Sequence, residues 1–511
     1  MKFITHNYQK LRKEITRYPV FYLVLAVVLS LGLFLRIYRV GSVLGFYFDQ
    51  GRDAKEVWEL LAFGDIPFIG PTTGIAGIFR GPFYFYLITP WYLLGGGNPT
   101  FPAVFLAVTT VAGIIVMYML AARMHSKRAG ILSAILASFS FYLITAARWL
   151  SNPTPMLLLS MILIWLLYEI TEAPVKSKKL RFLWIGVAFV LGLSLFHFGS
   201  SGEFFYFLGV GIFALWQRKR FPDIVTIVLS LGAILISAAP LIAFDFTHDH
   251  LLSNNIRKFF VDDQSFKASF WEVARSRTLF YYDVFVSKLF DYRRTRELIL
   301  LSVLALSFLV MLPKYLKNKG VTLILIMLVA PMIGLMFFQG NYGNIYDYYL
   351  TGYYYIFILL VGILMGSISK TAVGKLFILF FLYAFITRNV EVSWYRATDG
   401  GAGPETIIFK NQKLAIDWIY DDAKGVPFNV DVYVPPVIPH AYDYLFIWYG
   451  GKVNGYEPSV ERLDLLYTLY EADPPHPERL QAWLDRQKGI GVVEKVERFG
   501  GITVERRKRI L

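Results

Sequence analysis

The sequence contains no cysteine in 511 residues. It therefore offers no disulfide bond, no thiol nucleophile and no thiolate ligand for a metal ion. Charge is also scarce, because Asp, Glu, Lys and Arg make up only 17% of the chain, whereas hydrophobic residues make up 56%. A water-soluble protein would have no place to bury so much apolar surface, which excludes a simple soluble enzyme or binding module.

Long apolar runs are abundant, and the mean hydropathy is +0.49. Runs of about 17–25 residues recur, and each is long enough to cross about 30 Å of hydrocarbon. The first run lacks a cleavage site and is followed by many similar runs, so we expect an anchor helix and not a removed signal peptide. The pattern predicts a polytopic α-helical membrane protein with about eleven spans, at residues 19–37, 99–122, 130–146, 154–170, 182–197, 203–216, 224–243, 298–313, 321–338, 349–366 and 375–391.

The basic residues of the short loops fall almost entirely on one side of these spans. Twenty Lys and Arg residues lie in the N-terminal tail and the loops on its side, whereas the opposite short loops contain only Arg148. By the positive-inside rule the N-terminus is cytoplasmic, and an odd number of spans then places the C-terminus outside. The formal net charge of +14 follows from this topology and requires no nucleic-acid partner.

Three longer segments are predicted to lie outside, at 38–98, 244–297 and 392–511. Residues 81–95 are apolar but short and contain two prolines, so we expect a helix at the interface. Segment 244–297 interleaves basic and aromatic residues, which is typical of a helix in the headgroup plane, either docking on anionic lipid or holding a phosphate. Residues 392–511 change composition and predict a small α/β domain, with helices at 405–422 and 477–487 and strands at 428–434, 491–497 and 502–506.

The densest charge of the first outer segment lies just beyond the first span. Asp49, Arg52 and Asp53 place two carboxylates and a guanidinium within five residues. In a chain with so few charges, this cluster beside an apolar segment predicts chemistry at a membrane surface. The alternative is that Asp49 only caps an exposed helix.

Other polar residues gather at the same ends of later spans. They include Arg148 with Asn152, His197 at the end of one span, and Asp245 with His248 where another span emerges. Asp347 lies among tyrosines that include Tyr346. Because charged groups at membrane depth are costly and usually functional, their position on one face predicts a shared site.

Several motifs resemble those of a known family. They are Asp-Gln-Gly-Arg-Asp-Ala at 49–54, the Gly-Pro-aromatic stretch at 81–87, Arg-Trp-Leu-Ser-Asn-Pro at 148–153, and residues 240–248. The chain resembles the C-type integral-membrane glycosyltransferases, in particular bacterial relatives of protein O-mannosyltransferases and aminoarabinose transferases. Many relatives have Glu where Gln50 stands, which argues against a metal site on that pair.

The resemblance implies an inverting transfer of a sugar from a polyprenyl-phosphate carrier to an acceptor hydroxyl, at the outer face of a bacterial or archaeal cytoplasmic membrane. It places the catalytic carboxylate at Asp49, which would act as general base. Asp245 is a candidate second acid. No cofactor is expected, although a divalent metal stays open. The expected partners are the polyprenyl-phosphate sugar donor, membrane lipids and an acceptor protein, lipid or glycan.

The candidate residues for binding the donor phosphate or substrate share a polar side chain and a position on the outer side. They are Arg52, Asp53, Arg80, Arg148, Asn152, His197, His248, Arg257, Lys258, Tyr346 and Asp347, with Arg275 and Arg277 as further candidates for the phosphate. Two other functions remain open, a transporter or flippase of lipid-linked sugars and an envelope assembly protein with an outer binding domain. A transporter predicts charges at mid-membrane and internal repeats, and the sequence shows neither.

Overall fold

The structure is a computed structural model, and it describes residues 13–510 except 74, 76, 263–267, 291–293, 339–343, 399–402, 404, 436 and 437. Helices dominate the part that precedes the C-terminal sheet. They are α1 Pro19–Ile37, α2 Phe48–Phe63, α3 Phe83–Leu94, α4 Thr100–Met124, α5 Lys127–Phe139, α6 Phe141–Ala147, α7 Met156–Glu172, α8 Lys178–Leu193, α9 Tyr206–Trp216, α10 Ile224–Thr247, α11 Leu251–Arg257, α12 Phe270–Ser287, α13 Thr295–Tyr315, α14 Lys319–Phe337, α15 Thr351–Ile368 and α16 Ala372–Thr398.

Ten of the eleven predicted spans coincide with one helix each, and the predicted span 130–146 falls on the bent pair α5–α6. Not every one of these helices has the length of a span. Within the described residues, eight helices are long and apolar enough to cross a membrane, and the bent pair α5–α6 brings the number to nine. Helix α7 has 17 residues, and α9 lies in a shorter apolar helix, Glu203–Trp216. The chain is an integral membrane protein, and the exact count of eleven is not confirmed.

The bend between α5 and α6 is 67° and is centred on Ser140. Ser140 ends α5 in an extended conformation and caps α6, because its hydroxyl accepts a hydrogen bond from the backbone N–H of Leu143. The same hydroxyl donates to the carbonyl of Lys288 at 2.7 Å. Such a break leaves carbonyls of α5 without helical partners, and these must be satisfied from elsewhere.

The basic and aromatic segment contains α12, which packs along α14. The Tyr281 hydroxyl donates to the carbonyls of Pro331 and Met332 at 3.1 and 3.2 Å. The guanidinium of Arg277 donates to the carbonyls of Leu335 and Phe338 at the end of α14. Arg277, one of the basic residues of this segment, therefore holds α12 against the end of α14.

The C-terminal residues form a four-stranded mixed sheet where an α/β domain was expected. The strands are β1 Asn429–Tyr433, β2 Leu465–Glu471, β3 Gly491–Phe499 and β4 Ile502–Arg509, and the helices are α17 Phe409–Ala423, α18 His440–Leu445 and α19 Pro477–Lys488. The order is β1-β2-β4-β3, with β1 parallel to β2 and the other pairs antiparallel. Strand β2 and helix α18 were not predicted.

The C-terminal part is packed directly on α2, the helix that carries Asp49. At Gly51 the two backbones approach so closely that a Cβ would lie 2.2 Å from the backbone nitrogen of Ala441, so only glycine fits. The backbone N–H of Phe409 donates to the Leu44 carbonyl at 3.0 Å, and the Gln412 amide donates to the Phe46 carbonyl at 2.8 Å. Helices α17 and α18 of the C-terminal part therefore fix the start of α2 and the segment just before it.

Candidate active site

A polar cavity of about 150 Å³ lies where α2 begins. Its wall brings together six segments that are distant in sequence. They are the start of α2, the loop that leads to Arg80, the turn after α6, the turn after α8, the end of α14 and the segment before α15. The lining residues are Asp49, Arg52, Pro71, Thr72, Thr73, Ile75, Arg80, Trp149, Ser151, Asn152, Pro153, Ser200, Ser201, Phe338, Tyr348 and Tyr349. Four of the sequence-predicted site residues, Asp49, Arg52, Arg80 and Asn152, thus share one cavity.

Asp49 is the exposed carboxylate of this cavity. Helix α2 begins at Phe48, with Tyr47 at the N-cap position, so the expectation that Asp49 caps the helix is wrong. Its side chain is 53% exposed, and one oxygen lies 2.9 Å from the Arg52 guanidinium. In the first turn, the unsatisfied N–H groups of the helix also favour a negative charge. Among the described residues, the other Asp49 oxygen has no hydrogen-bond or salt-bridge partner, so it is open to a ligand.

The ion pair between Arg52 and the buried Asp53 orients the first turn of α2. Arg52 donates two hydrogen bonds to the Asp53 carboxylate, at 2.7 and 3.0 Å, and one to the Thr72 hydroxyl at 3.2 Å. The Asp53 side chain is only 4% exposed. Burial raises the pKa of Asp53 to about 7, although the Arg52 charge opposes the shift. Burial lowers the pKa of Arg52, but Asp53 and Asp49 outweigh it and raise the value.

Arg80 supplies a second guanidinium to the cavity. Its backbone is fixed in a small hairpin, since its N–H donates to the Pro71 carbonyl at 3.0 Å and its carbonyl accepts from Gly70 at 2.6 Å. Within the described part of the chain, the guanidinium forms no hydrogen bond and no salt bridge at 4.0 Å or less. Burial lowers the pKa of Arg80, and the charge of Glu203 opposes this. A partly buried cation without a close partner is suited to an anionic ligand.

Asn152 and its turn close the cavity opposite α2. The turn is tied to α2 by the Gln50 amide, which donates to the Leu150 carbonyl at 3.1 Å. The Asn152 amide donates to the Phe198 carbonyl at 3.4 Å. The Trp149 ring lies edge-on to Tyr348, with centroids 5.7 Å apart. Gln50 is buried and does not line the cavity, and its neutral side chain links α2 to this turn.

Two arginines, the completely buried Arg36 and the half-buried Arg148, hold the helices on which the cavity depends. The Arg36 guanidinium donates to the carbonyls of Ala137 and Ser138 at 2.7 and 3.0 Å, where the break leaves α5 without partners. The Arg148 guanidinium donates in return to the carbonyls of Leu35 and Tyr38. We call these contacts the arginine clasp. It joins the end of α1, which leads to Asp49, to the bent pair that leads to Asn152.

Arg148 and His197 therefore lie behind the cavity and do not line it. The guanidinium of Arg148 is taken up by backbone carbonyls. His197 is completely buried, its ring stacks on Phe83 at 4.0 Å, and its Nε2 lies 2.7 Å from the Ser237 carbonyl. A Cβ on Gly81 would lie 2.2 Å from this ring, so glycine is required there. These contacts position the Arg80–Phe83 segment.

Asp245 and His248 do not join this cavity either. The Asp245 carboxylate accepts from the Ser253 N–H at 2.9 Å and from its hydroxyl at 2.8 Å. His250 Nδ1 lies 3.5 Å from the same carboxylate. The His248 ring stacks on Phe244. These contacts stabilise the turn between α10 and α11. The partners of Asp245 are therefore nearby residues of this turn, and its role here is structural.

The remaining candidates are dispersed. Arg257, Lys258 and Arg275 are exposed and do not line the cavity. Tyr346 is exposed and stacks on Tyr348. Asp347 binds the buried Lys288 ammonium at 2.9 Å and also accepts from the Tyr354 hydroxyl. Tyr346 and Asp347 thus lie outside the cavity, next to Tyr348 and Tyr349, which line it.

Sequence patterns missed other residues of the wall, including Thr72, Ser200 and Tyr348. Small hydroxyl residues carry little signal, although Phe-Gly-Ser-Ser-Gly at 198–202 shows that the chain turns there. Across the described residues, no group of three or more His, Asp or Glu side chains is placed to hold a metal ion.

Comparisons with known proteins bear on both the sequence and the fold. Residues 80–244 match the profile of the family described as dolichyl-phosphate-mannose-protein mannosyltransferase. This segment includes Arg80, Arg148, Asn152 and His197 and excludes Asp49. No curated protein sequence matches the chain.

Among solved structures, the fold is similar to that of ArnT from Cupriavidus metallidurans. The apo crystal structure superposes with a TM-score of 0.58 at 12% identity, covering 97% of this chain and 98% of ArnT. The crystal structure of the same protein bound to undecaprenyl phosphate gives 0.57 at 12% identity, with 96% and 98% coverage. The chain therefore has the fold of ArnT, and the likeness to membrane glycosyltransferases inferred from the motifs is confirmed.

Proposed function

We propose that this protein transfers a sugar from a polyprenyl-phosphate carrier to an acceptor hydroxyl, with inversion at the anomeric carbon. The observation that carries the proposal is the single cavity lined by the exposed carboxylate of Asp49 and the guanidinium of Arg80. One group can take a proton from the acceptor, and the other can hold the phosphate. The acceptor is a protein, a lipid or a glycan.

The leaving group of this reaction needs charge stabilisation more than protonation. A polyprenyl phosphate departs as a phosphate anion when the bond between the anomeric carbon and the phosphate oxygen breaks. Arg80, which has no close partner among the described side chains, offsets that charge as it develops. Arg52 also lines the cavity but is already bound to Asp49 and Asp53. It therefore adds positive charge to the cavity and holds the two carboxylates in place.

The acceptor oxygen attacks the opposite face of the sugar, which gives inversion. As the new carbon–oxygen bond forms, the hydroxyl proton passes to the free oxygen of Asp49. The transition state has oxocarbenium character, so the carboxylate also stabilises its positive charge. Asp53 stays buried behind Arg52 and acts by positioning.

The donor class rests on two similarities. The matching family is named for dolichyl phosphate mannose, and the similar ArnT structure contains undecaprenyl phosphate. Both carriers are polyprenyl phosphates, and Arg80 gives the cavity a cation of the kind that binds a phosphate.

The outer location rests on the charge asymmetry of the short loops. The chain has no cysteine, so single cysteines give a clean test. Val460 is fully exposed in the C-terminal part, and Lys219 is exposed in the loop between α9 and α10. Val460→Cys should react with an impermeant thiol reagent in intact cells, and Lys219→Cys should react only after the membrane is opened. The reverse pattern would place the cavity on the inner face.

The transfer itself is tested with the purified full chain in detergent. It is incubated with a polyprenyl-phosphate sugar and candidate acceptors, and mass spectrometry follows polyprenyl phosphate and glycosylated acceptor together. The proposal predicts that both appear in equal amounts, with the anomeric configuration inverted. Movement of an unchanged lipid-linked sugar across vesicles, without release of polyprenyl phosphate, would instead support a flippase.

A further inference from the structure

A second cavity lies at the opposite end of the helix bundle. It is an open apolar groove of about 610 Å³ between the start of α1, the start of α5 and the start of α16, and the apolar part of its lining includes Val20, Phe21, Val24 and Ile378. The groove lies at the start of α1 and α5, whereas the Asp49 cavity lies beyond the ends of α1 and α6. About 19 helical residues, roughly 28 Å, separate the two ends.

Two cations border this groove. Arg128 and Lys375 line it and are exposed. Within the described residues, neither side chain has a hydrogen bond or a salt bridge. The nearby Lys127 is different, because it binds Glu14 at 2.6 Å and lies over the Tyr18 ring. Glu14 is therefore already engaged, and no carboxylate among the described residues lies within 4.0 Å of the two groove cations.

No segment among residues 13–510 that the structure describes covers the groove along the start of α1. The first buried residue of that helix is Leu25, so the turn before it, with Val20 and Val24, exposes its apolar side chains. In a membrane protein such a surface is covered by lipid. A volume of about 610 Å³ is in the range of a bound ligand.

We propose that this groove binds an anionic phospholipid, with the headgroup phosphate on Arg128 and Lys375 and an acyl chain along α1. Basic pockets between transmembrane helices are suited to such headgroups. The Lys375 ammonium and the Arg128 guanidinium supply charge-assisted contacts to the phosphate. The site is independent of the proposed transferase activity.

The chain itself offers a poorer occupant. Residues 1–12 carry Lys2, Lys10 and Arg12 and no acidic residue, so their charge is the same as that of the groove cations. A free phosphate would use the cations but leave the apolar wall exposed. A lipid with an anionic headgroup satisfies both halves of the groove.

The test measures thermal unfolding of the purified full chain in detergent, titrated with dioctanoyl phosphatidylglycerol. The matched ligands are dioctanoyl phosphatidylcholine and sn-glycerol 3-phosphate. The variants are Arg128→Gln/Lys375→Gln and, as a charge-matched control, Arg218→Gln/Lys219→Gln. Both control residues are exposed and lie at the same end of the bundle.

We expect phosphatidylglycerol to raise the unfolding temperature of the wild type at concentrations where phosphatidylcholine and glycerol phosphate do not. The Arg128→Gln/Lys375→Gln variant should need at least about 10-fold more phosphatidylglycerol for the same rise in unfolding temperature. The control variant should respond like the wild type. Lys375→Gln alone, which changes one exposed side chain, should give a smaller change in the same direction. Equal responses to both phospholipids, an equal response to glycerol phosphate, or equal losses in the two double variants would overturn the proposal.

Discussion

Asp49 and Asp245 are both acids that follow a predicted span, yet their surroundings differ. Asp49 is half exposed in the polar cavity and uses one oxygen on Arg52. Asp245 uses both oxygens on Ser253 and faces a loop outside that cavity. Position beside a membrane therefore does not define a catalytic carboxylate. What distinguishes Asp49 is that, within the part of the chain that the structure describes, one of its oxygens has no partner and the Arg80 guanidinium of the same cavity has none within 4.0 Å.

The largest expected effect separates these two acids. Asp49→Asn keeps the size of the side chain but cannot take a proton, so turnover should fall by roughly 10²–10⁴. Asp245→Asn can still accept a hydrogen bond from Ser253, so turnover should stay near that of the wild type. The measurement is initial rate with a polyprenyl-phosphate sugar. Equal losses in the two variants would remove the distinction between them.

The next effect concerns the cations. Arg80→Gln removes the charge proposed for the donor phosphate, and a charge-assisted contact is typically worth about 1.5–3 kcal/mol. The apparent donor affinity should therefore weaken roughly 10–100-fold. Arg275→Gln, at an exposed position that does not line the cavity, is the control and should change it little. A larger effect at Arg275 would move the phosphate to the basic segment around α12.

The arginine clasp predicts an effect on stability. Arg36→Met keeps much of the side-chain volume but leaves the carbonyls of Ala137 and Ser138 unsatisfied, which costs about 1–3 kcal/mol for each buried group. The unfolding temperature in detergent should fall clearly. Arg36→Lys should recover part of it, because the ammonium can reach fewer of these carbonyls. An unchanged unfolding temperature in Arg36→Met would show that the clasp does not hold the bend.

The smallest effect is the pH dependence that comes from Asp53. Its pKa in the folded protein is raised to about 7 by burial, above the value of about 3.9 in an unfolded chain. The folded state thus holds this proton more tightly, so the free energy of unfolding should fall as pH rises from about 4 to 7. Activity should move the opposite way, since only ionised Asp53 orients Arg52.

Asp53→Asn removes this titration. The variant should lose both pH dependences in the same window, and its turnover at pH 8 should fall less than that of Asp49→Asn, by about 10-fold if one charge-assisted contact is lost. Rate and unfolding temperature are measured across pH 5–8. Unchanged profiles in the variant would assign the pH dependence to another group.

The sequence predicts much of this molecule because its strongest patterns are local. Apolar runs locate the helices, and the charge cluster at Asp49 and Arg52 locates the start of the cavity. Arg148 was assigned to the phosphate because it is the one cation of the short outer loops. Its actual partners, the Leu35 and Tyr38 carbonyls, are more than a hundred residues away in sequence. The carbonyls of Leu35 and Tyr38 lack helical partners because α1 ends at Ile37. No local sequence pattern connects the end of α1 to Arg148.

The missed strand β2 has a similar cause. Leu465–Glu471 is a short apolar run without alternation, and periodicity does not distinguish such a run from a buried helix. Its identity comes from its central place between β1 and β4, which are distant in sequence. The roles of Asp49 and Arg80 stay predictions that rest on the cavity they share.

The most direct test measures donor binding and turnover on the same preparation of Asp49→Asn. If Asp49 is the base and Arg80 holds the phosphate, the variant should bind the polyprenyl-phosphate sugar with nearly wild-type affinity, while turnover falls at least 100-fold. Turnover close to that of the wild type, with binding intact, would contradict the account and place the base on another carboxylate.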